Sequence, residues 1–401
     1  MITKIDVKNF KNFEDFELEL KPLNVLIGAN GTGKSNFIKL IQFYKEGAEL
    51  KLLDYISSCG GGRSFYKDFD TQNHLSISFF FRIESFNFRT RKKEELIYNY
   101  NIIYDHQYFI KSEFFTKNDV KIIEDMIVNI KDGENFKQYK ALKKEDLEKK
   151  IIQSSKSPYE YVPIDSWGEL LLLQIEKIKN ENLDLVNFLK NIEIHSSFDI
   201  KFGSEMRRVQ LVKRELLLQK NGDNLINILN TIFSSNPQAK ENIKKILEVS
   251  FENFKDIVFP PTSGQGQIDM EWQYKNNKSV STYFLSDGQL KLLCLLALLY
   301  NPNHKGLICI EEPELYLHTS LHKILGEVLK EASQSKQIIV TTHSPDLLNA
   351  LQPEDVCVLN TNKETGYTNI KRLDKKDELE SWLEDYELGE LWKMGEIGAK
   401  K

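Results

Sequence analysis

A glycine-rich loop between a short apolar segment and a helix most constrains how this chain can fold. The loop runs from Gly28 to Ser35 and reads Gly-Ala-Asn-Gly-Thr-Gly-Lys-Ser. The strand pattern Leu23–Ile27 precedes it, and apolar residues at helical spacing follow it. Glycines at these positions let backbone N–H groups surround a phosphate, and the helix N-terminus adds positive potential. The sequence therefore predicts a phosphate-binding P-loop within an α/β fold.

Two side chains of this loop have different expected roles in nucleotide binding. Lys34 is expected to reach the β- and γ-phosphate oxygens, and the Ser35 hydroxyl is expected to bind Mg²⁺. The residues expected to contact the nucleotide are Gly28, Asn30, Gly31, Gly33, Lys34, Ser35 and Asn36.

A second motif is an apolar strand pattern, Leu307–Ile310, that ends in two glutamates. A buried strand with this ending is how P-loop enzymes bring carboxylates beside Mg²⁺ and the attacking water. Glu311 is expected to hold the metal shell through a metal-bound water, because it is one methylene longer than the usual aspartate. Glu312 is expected to orient and deprotonate water. The alternative is a pair of solvated glutamates at a strand end.

A histidine follows the apolar strand pattern Gln337–Thr341. His343 is expected to hydrogen-bond the γ-phosphate, since it comes after a P-loop and an acidic strand end. A single histidine of this kind also has a purely structural alternative.

The segment Phe284–Tyr300 has a polar first part and a very apolar second part. Ser286, Gly288 and Gln289 stand at the start of the apolar helix, where a hydroxyl and a glycine permit close approach of an anion. The alternative is an ordinary N-cap, in which the side chain of Ser286 or Asp287 closes the first turn.

Composition limits the remaining classes of function. The 401 residues favour two lobes or a core with a large insertion, and the formal net charge of −5 gives no overall attraction to nucleic acid. DNA contact would need a local patch, for which Arg207, Arg208, Lys213 and Arg214 are candidates; a solvated helix face is the alternative. The chain shows no signal-peptide pattern and no apolar run of membrane-spanning length, so we expect a cytoplasmic protein without a membrane partner.

The order of the four motifs resembles that of ATP-binding-cassette ATPases, whose signature is LSGGQ. The closer resemblance is to the RecF/SMC-like and overcoming-lysogenization-defect-like ATPases of the AAA type, and we expect a stand-alone member without a Toprim domain. It is carried by the segments KNFKNFEDFELELKPLNVLIGANGTGKSN, LSDGQ, EEPELYLH, THSPDLL and YELGELW, and it covers residues 1–115 and 193–397.

The resemblance implies an α/β P-loop NTPase fold of the ABC/RecF-like type, with mixed antiparallel and parallel sheets. Between the two parts of the chain that the resemblance covers, charged segments with mixed lysine and glutamate and few strand patterns predict an inserted helical region. The expected division is residues 1–116 as the first ATPase lobe with the P-loop and 117–191 as the helical insertion. Residues 192–360 form the second lobe, with signature, acidic strand end and histidine, and residues 361–401 form a C-terminal tail.

The resemblance also implies that two ATP molecules are buried in a head-to-tail homodimer or a higher oligomer. Ser286 and Gly288 would then face the γ-phosphate held by the partner's P-loop. Asp287 stands where glycine is usual, and we expect its carboxylate to turn aside, to cap the helix or to touch the ribose. His318 would cross the interface.

The expected function is ATP hydrolysis, with Lys34, Glu312 and His343 as catalytic residues and Mg²⁺ as cofactor. The nucleotide state would act on DNA or on a partner effector, in DNA maintenance or anti-phage defence. The stretch after the last core strand is too short for a Toprim nuclease domain, so nuclease activity is expected from a partner chain. One alternative is a regulatory switch that holds a toxin or effector silent. Another is the ATP-binding subunit of a transporter, disfavoured by the insertion and by Glu311.

Overall fold

The computed structural model divides the chain into two compact units, each assembled from separated parts of the sequence. The first comprises Met1–Lys21, Ala29–Ile192 and Leu359–Lys371, and the second comprises Pro22–Gly28, Glu193–Val358 and Arg372–Lys401. The residues described are 1–49, 51–67, 75–87, 92–105, 109–117, 120–124, 127–132, 135–143, 160–164, 188–260, 266–304, 306–373, 382–383 and 385–397.

The strands and helices of the described residues are numbered in chain order. The strands are β1 (Ile2–Phe10), β2 (Phe13–Glu19), β3 (Leu23–Ile27), β4 (Leu75–Asn87), β5 (Lys92–Asp105), β6 (Phe109–Lys117), β7 (Val120–Glu124), β8 (Ile127–Asp132), β9 (Asn135–Lys143), β10 (Glu160–Ile164), β11 (Glu193–His195), β12 (Gln210–Leu211), β13 (Phe254–Val258), β14 (Gln267–Ile268), β15 (Glu271–Tyr274), β16 (Ser279–Ser281), β17 (Leu307–Glu311), β18 (Gln337–Thr341), β19 (Val356–Thr361) and β20 (Thr368–Arg372). The helices are α1 (Lys34–Ala48), α2 (Leu52–Ser58), α3 (Leu225–Ser235), α4 (Pro237–Ser250), α5 (Asp287–Leu299), α6 (Ser320–Ser333), α7 (Pro345–Leu348) and α8 (Leu388–Met394).

The first unit is built on a sheet whose described strands run in the order β10-β9-β8-β7-β6-β5-β4-β1-β2. Its pairs are antiparallel except that of β9 with β10. Aromatic side chains tie helix α1 to the start of this sheet. Phe13 and Phe16 have ring centroids 4.5 Å apart, and Phe16 and Phe37 of α1 follow at 5.8 Å. These rings are fully or almost fully buried, so they anchor the helix that carries the P-loop lysine.

The expected helical insertion over residues 117–191 is wrong for the described residues of 120–143 and for 160–164, which form strands β7 to β10. Strands β7 to β10 extend the sheet of β4 to β6 instead, so the segment belongs to the first unit. The lysine and glutamate content favoured a helix, but alternation at period two and the Asp-Gly pair at 132–133 are strand and hairpin signals. In agreement, Asp132 pairs with Asn135 across β8 and β9. The apolar segments 170–178 and 183–187 lie outside the described residues.

The second unit contains a parallel sheet in the order β11-β17-β18-β3-β19, with β20 next to β19. Every residue of β3 and β18 is buried, as is typical of parallel strands covered on both faces. Helix α5 is buried from Leu290 to Leu299, and its leucines form much of the hydrophobic core of this unit. The predicted α/β fold with mixed antiparallel and parallel sheets is therefore confirmed.

Lys336 is a buried cation immediately before β18. Its Nζ donates a hydrogen bond of 2.8 Å to the carbonyl oxygen of Asn301. Burial lowers the pKa of Lys336 to about 8, and the charge of Glu193 only partly opposes this. The unfolded chain keeps this proton up to the ordinary value of 10.5. It therefore binds more protons than the folded chain between these two values, and stability should rise with pH across that window.

We expect Lys336→Met to remove this rise. Between pH 8 and 10.5 the wild-type protein should gain up to roughly 3 kcal/mol of unfolding free energy relative to the variant. Urea unfolding at three pH values measures the difference. Lys245→Met, on an exposed position of α4, is the control and should follow the wild type. Parallel pH profiles for the wild type and Lys336→Met would contradict the assignment.

Candidate nucleotide-binding site

The loop from Gly28 to Ser35 has the backbone of an anion-binding turn. Gly31 and Gly33 have φ of +83° and +102°, which side-chain-bearing residues rarely adopt. Helix α1 begins at Lys34, and its N-cap residue, Gly33, makes no side-chain cap. The first turn of α1 contains no acidic residue. The amides and the positive end of this helix therefore suit a phosphate group.

The predicted nucleotide contacts differ in their exposure. Asn30, Gly31 and Ser35 are exposed, whereas Lys34 is buried. The Lys34 ammonium donates a hydrogen bond of 3.1 Å to the carbonyl oxygen of Ala29 within the loop. Asn36 is half-buried and directs its Nδ2 to Asn12 Oδ1 at 2.7 Å.

Two residues distant in sequence, Asn12 and Thr368, brace the loop within the first unit. Asn12 Nδ2 donates to Thr368 Oγ1 at 2.5 Å, and Thr368 Oγ1 donates to the carbonyl oxygen of Thr32 at 2.8 Å. A Cβ at Gly33 would clash with the side chain of Asn12, and the φ of +102° is one that side-chain-bearing residues rarely adopt, so glycine is favoured at this position. Asn12, in the turn between β1 and β2, thus supports the P-loop through Asn36 and Thr368. No local sequence pattern indicates this role for Thr368.

In the second unit, the parallel sheet brings three of the motifs to one edge. Glu311 is paired with Thr341, and Thr341 is paired with Leu26. The carboxyl ends of β17, β18 and β3 therefore lie side by side. Because ligands of parallel α/β sheets bind at the carboxyl ends of strands, this edge is the candidate site. Gly28, the glutamate pair and the His343 segment all follow directly from these three ends.

The two glutamates at the end of β17 have different surroundings. Ser196 Oγ donates a hydrogen bond of 2.7 Å to Glu311 Oε1. Glu312 has a left-handed backbone with φ of +46°, which costs a non-glycine residue on the order of 1 kcal/mol. Its amide donates to the carbonyl oxygen of Thr341 at 2.9 Å, and this bond helps to hold the strained conformation. Strain retained in this way is common at functional sites.

Glu312 and His343 face one another across the ends of β17 and β18. His343 Nε2 lies 4.0 Å from Glu312 Oε1, and both side chains are more than a third exposed. The arrangement leaves a carboxylate and an imidazole open to solvent, where they can contact a ligand and a water molecule.

Glu314 is a buried acidic residue whose part in the site had no sequence signal beyond its place in the EEPE motif. Its Oε1 accepts hydrogen bonds from Thr342 Oγ1 at 2.6 Å and from the His343 amide at 3.0 Å. It therefore fixes the backbone that carries the histidine.

The signature helix α5 begins with a capping box. Ser286 Oγ accepts the amide of Gln289, and Gln289 Oε1 accepts the amide of Ser286 at 2.9 Å. The N-cap interpretation thus holds for Ser286, and the helix is capped by Ser286 and not by Asp287. Asp287 Oδ1 instead accepts a hydrogen bond from Arg207 Nη2 at 2.5 Å.

Arg207 is buried and supports the signature segment, so it is not part of a DNA-binding helix face. It donates to the carbonyl oxygens of Ile200 at 3.0 Å and Leu285 at 2.6 Å, in addition to Asp287. The residues around it form a short 3₁₀ turn, Glu205–Arg207, and strand β12. The solvated helix face considered for Arg207, Arg208, Lys213 and Arg214 does not form, because these residues lie in the 3₁₀ turn or in irregular backbone that contacts distant segments.

Two further histidines lie in or just before helix α6. His322 is buried, and its Nδ1 lies 2.8 Å from Ser344 Oγ. His318 is exposed and contacts Ser320 Oγ at 2.8 Å. Within the described residues, no cluster of three or more histidine, cysteine, aspartate or glutamate side chains forms a metal site.

A P-loop after β3 and acidic and histidine-bearing ends on the neighbouring strands define a P-loop NTPase, and the fold is that of the RecF/SMC-like ATPases. Residues 23–349 match the family described as "AAA domain, putative AbiEii toxin, Type IV TA system". The chain belongs to this family, and the resemblance inferred from the motifs is confirmed.

The individual relatives have low sequence identity to this chain. The chain is 22% identical over 404 residues to the retron Ec83 probable ATPase of Escherichia coli, covering 90% of this chain and 72% of that protein. It is 25% identical over 374 residues to endonuclease GajA of Bacillus cereus, covering 86% of this chain and 56% of GajA. A crystal structure of an SMC head bound to the C-terminal winged-helix domain of ScpA has the same fold, with a TM-score of 0.51, 13% identity and coverage of 94% and 99%.

None of the helices in the described part of the chain combines the length and apolarity that a membrane span requires.

Proposed function

We propose that this protein is an ATP-hydrolysing enzyme that closes around ATP as a head-to-tail dimer and passes its nucleotide state to a partner effector or to DNA. The observation that carries the proposal is the register of β17, β18 and β3. This register aligns Glu311, Thr341 and Leu26, and thus gathers the acidic strand end, the histidine segment and the start of the P-loop at one sheet edge.

The loop residues suit a bound triphosphate. Gly31, Gly33 and the first turn of α1, which has no side-chain cap, supply backbone amides. The Lys34 ammonium supplies a positive charge, and on nucleotide binding it would replace its hydrogen bond to the Ala29 carbonyl oxygen with one to a phosphate oxygen. Asn30 and Asn36 lie on either side of these groups in the sequence, and Gly28 is the first loop residue after β3. Mg²⁺, when bound, neutralises the charge of the β- and γ-phosphate oxygens. Ser35 and Glu311 would hold it.

Glu312 and His343 are the groups proposed to act on the reacting atoms. Glu312 would accept a proton from the attacking water, for which its exposed carboxylate is suited. His343 would donate a hydrogen bond to the γ-phosphate. Its backbone is fixed by Glu314, so its position does not depend on the exposed side chain alone.

The proposed dimer rests on the chemistry of the signature segment. Ser286, Gly288 and Gln289 lie at the start of α5, which is 13 residues long and has only one acidic residue, Asp287, in its first turn. The pairing of Asp287 with Arg207 reduces the repulsion of a phosphate at this helix end. Phe284 and Tyr316 are 73% and 66% exposed, which supports a protein surface beside this helix end that is covered in the dimer.

The partner is proposed from the family and the relatives. The relatives include a retron ATPase and an endonuclease, so we propose that the output acts in anti-phage defence through an effector or nuclease chain, with DNA maintenance as the alternative setting. The alternative, a regulatory switch, would bind ATP tightly and hydrolyse it very slowly. A measurement of kcat distinguishes the two functions.

Lys34→Ala is expected to lower ATP hydrolysis at least about 100-fold, because a preorganised positive charge at the phosphates is lost. Phosphate release measures the rate, and a fluorescent ATP analogue measures binding, which should weaken as well. Lys39→Ala, an exposed lysine on the same helix, is the control and should behave as wild type. Undiminished hydrolysis in Lys34→Ala would rule out this loop as the active site.

A further inference from the structure

Strand β11 brings a further strand end to the candidate site, although none of the sequence motifs includes it. β11 pairs in parallel with β17, and His195 is paired with Ile310. Ser196 and Glu311 are the residues that follow these two in the chain. Since the carboxyl ends of parallel strands lie at one edge of the sheet, Ser196 comes beside Glu311.

The Ser196 hydroxyl is directed at the carboxylate of Glu311. Its Oγ donates a hydrogen bond of 2.7 Å to Glu311 Oε1, a length typical of a hydroxyl bonded to an ionised carboxylate. An ionised carboxylate accepts hydrogen bonds at two oxygens, so this bond leaves Oε2 for another ligand. The uncharged hydroxyl therefore orients the carboxylate without neutralising it.

The backbone around Ser196 is held by buried neighbours. His195 is buried, and its Nδ1 and Nε2 lie 3.3 Å from the Lys220 carbonyl oxygen and 3.1 Å from Glu193 Oε2. Phe198 is also buried, and its ring centroid lies 5.3 Å from that of His195. Ser196 itself is exposed. The serine thus presents its hydroxyl to solvent from a backbone that its buried neighbours fix.

Glu311 benefits from such a partner because it is one methylene longer than the aspartate usual at this position. The additional rotatable bond gives the free side chain more rotamers, and this freedom is lost when the carboxylate binds a ligand. A hydrogen bond formed before the ligand arrives removes part of that loss. Hydrogen-bond partners of metal-binding side chains typically contribute about 10- to 100-fold to metal affinity or activity.

We propose that Ser196 is a positioning residue, whose hydroxyl holds the Glu311 carboxylate in the orientation that binds hydrated Mg²⁺. Ser196 acts through Glu311 and makes no bond to the metal itself. This inference rests on the proposed function, in which Glu311 holds the metal that accompanies ATP.

Metal affinity tests this role without turnover. Mn²⁺ is titrated into the protein bound to a non-hydrolysable ATP analogue, and free Mn²⁺ is followed by electron paramagnetic resonance. Ser196→Ala should weaken Mn²⁺ binding about 10-fold, whereas Ser196→Thr keeps a hydroxyl and should stay within about three-fold of wild type. Ser197→Ala removes the neighbouring exposed hydroxyl and is the matched control, for which wild-type affinity is expected. Equal Mn²⁺ affinity in Ser196→Ala and wild type would overturn the proposal.

A double variant shows whether Ser196 acts through Glu311. Glu311→Ala alone should weaken Mn²⁺ binding. Adding Ser196→Ala to it should weaken binding less than about two-fold further, because the carboxylate that the serine orients is already absent. A further loss as large as that of Ser196→Ala alone would mean that the serine binds the metal directly, and it would overturn the positioning role.

The Mg²⁺ dependence of ATP hydrolysis gives a second readout. Ser196→Ala should need about 10-fold more Mg²⁺ for half-maximal hydrolysis, while kcat at saturating Mg²⁺ stays within about three-fold of wild type. A merely structural role would instead lower kcat at every Mg²⁺ concentration, and that result would overturn the proposal.

The two readouts separate this inference from the proposed function. A wild-type protein that binds the analogue and Mn²⁺ but does not hydrolyse ATP refutes the ATPase, and weakened Mn²⁺ binding in Ser196→Ala would still support the positioning role. A wild type that hydrolyses ATP, with Mn²⁺ affinity unaffected in Ser196→Ala, refutes the positioning role alone.

Discussion

Glu312→Gln should lower the rate of ATP hydrolysis by a factor of about 100 to 10,000, the usual contribution of a general base. The amide keeps the size of the side chain and the left-handed backbone, but it cannot accept the proton of the attacking water. ATP binding should be retained, because Lys34 and the loop amides are untouched. The variant should therefore remain in the ATP-bound state.

A trapped ATP state should also trap the dimer. Light scattering of Glu312→Gln with ATP and Mg²⁺ should give about twice the chain mass of 46.8 kDa, and the wild type should return to monomer as it consumes ATP. Glu327→Gln, on an exposed position of α6, is the matched control and should keep wild-type turnover. A variant that binds ATP and stays monomeric would refute the ATP-sandwiched dimer.

The parts of the site that could be predicted from the sequence are those in which the functional residues lie next to one another along the chain. The P-loop, the glutamates after β17 and the histidine after β18 each follow a strand pattern within a few positions. In a parallel sheet the carboxyl ends of the strands lie at the same edge, so the α/β fold class is sufficient to predict that these motifs lie near one another. Ser286 as an N-cap also follows from local preference.

The parts that were missed depend on contacts between distant segments. Arg207 lies 80 residues from Asp287, and Thr368 lies 336 residues from the Thr32 carbonyl that it binds. No local pattern distinguishes such a residue from a solvated arginine or threonine. The helix predicted within 117–143 is wrong for another reason. Lysine and glutamate content favours a helix there, whereas the observed strands β7 to β9 are stabilised by neighbouring strands that local composition does not report.

Ser286→Arg should abolish turnover while leaving ATP binding to the same chain nearly intact. A large cation at the start of α5 would prevent the helix end from closing on the partner's γ-phosphate, whereas the chain's own P-loop is unchanged. Loss of the cap alone costs roughly 1 kcal/mol, so Ser286→Ala serves as the control for that effect and should remain folded. Ser286→Asp keeps a good N-cap but adds a negative charge, and it should also be inactive if the segment faces phosphate.

Mixing two inactive variants decides whether the signature acts on the partner's nucleotide. Ser286→Arg retains its P-loop, and Lys34→Ala retains its signature, so a mixed dimer contains one complete site. In an equimolar mixture half of the dimers are mixed and each has one of two sites, so about a quarter of wild-type turnover should return if two-fold symmetry holds. If the signature acted within its own chain, both chains would stay defective and the mixture would be inactive. Recovered hydrolysis would therefore establish that Ser286 completes a site on the neighbouring molecule.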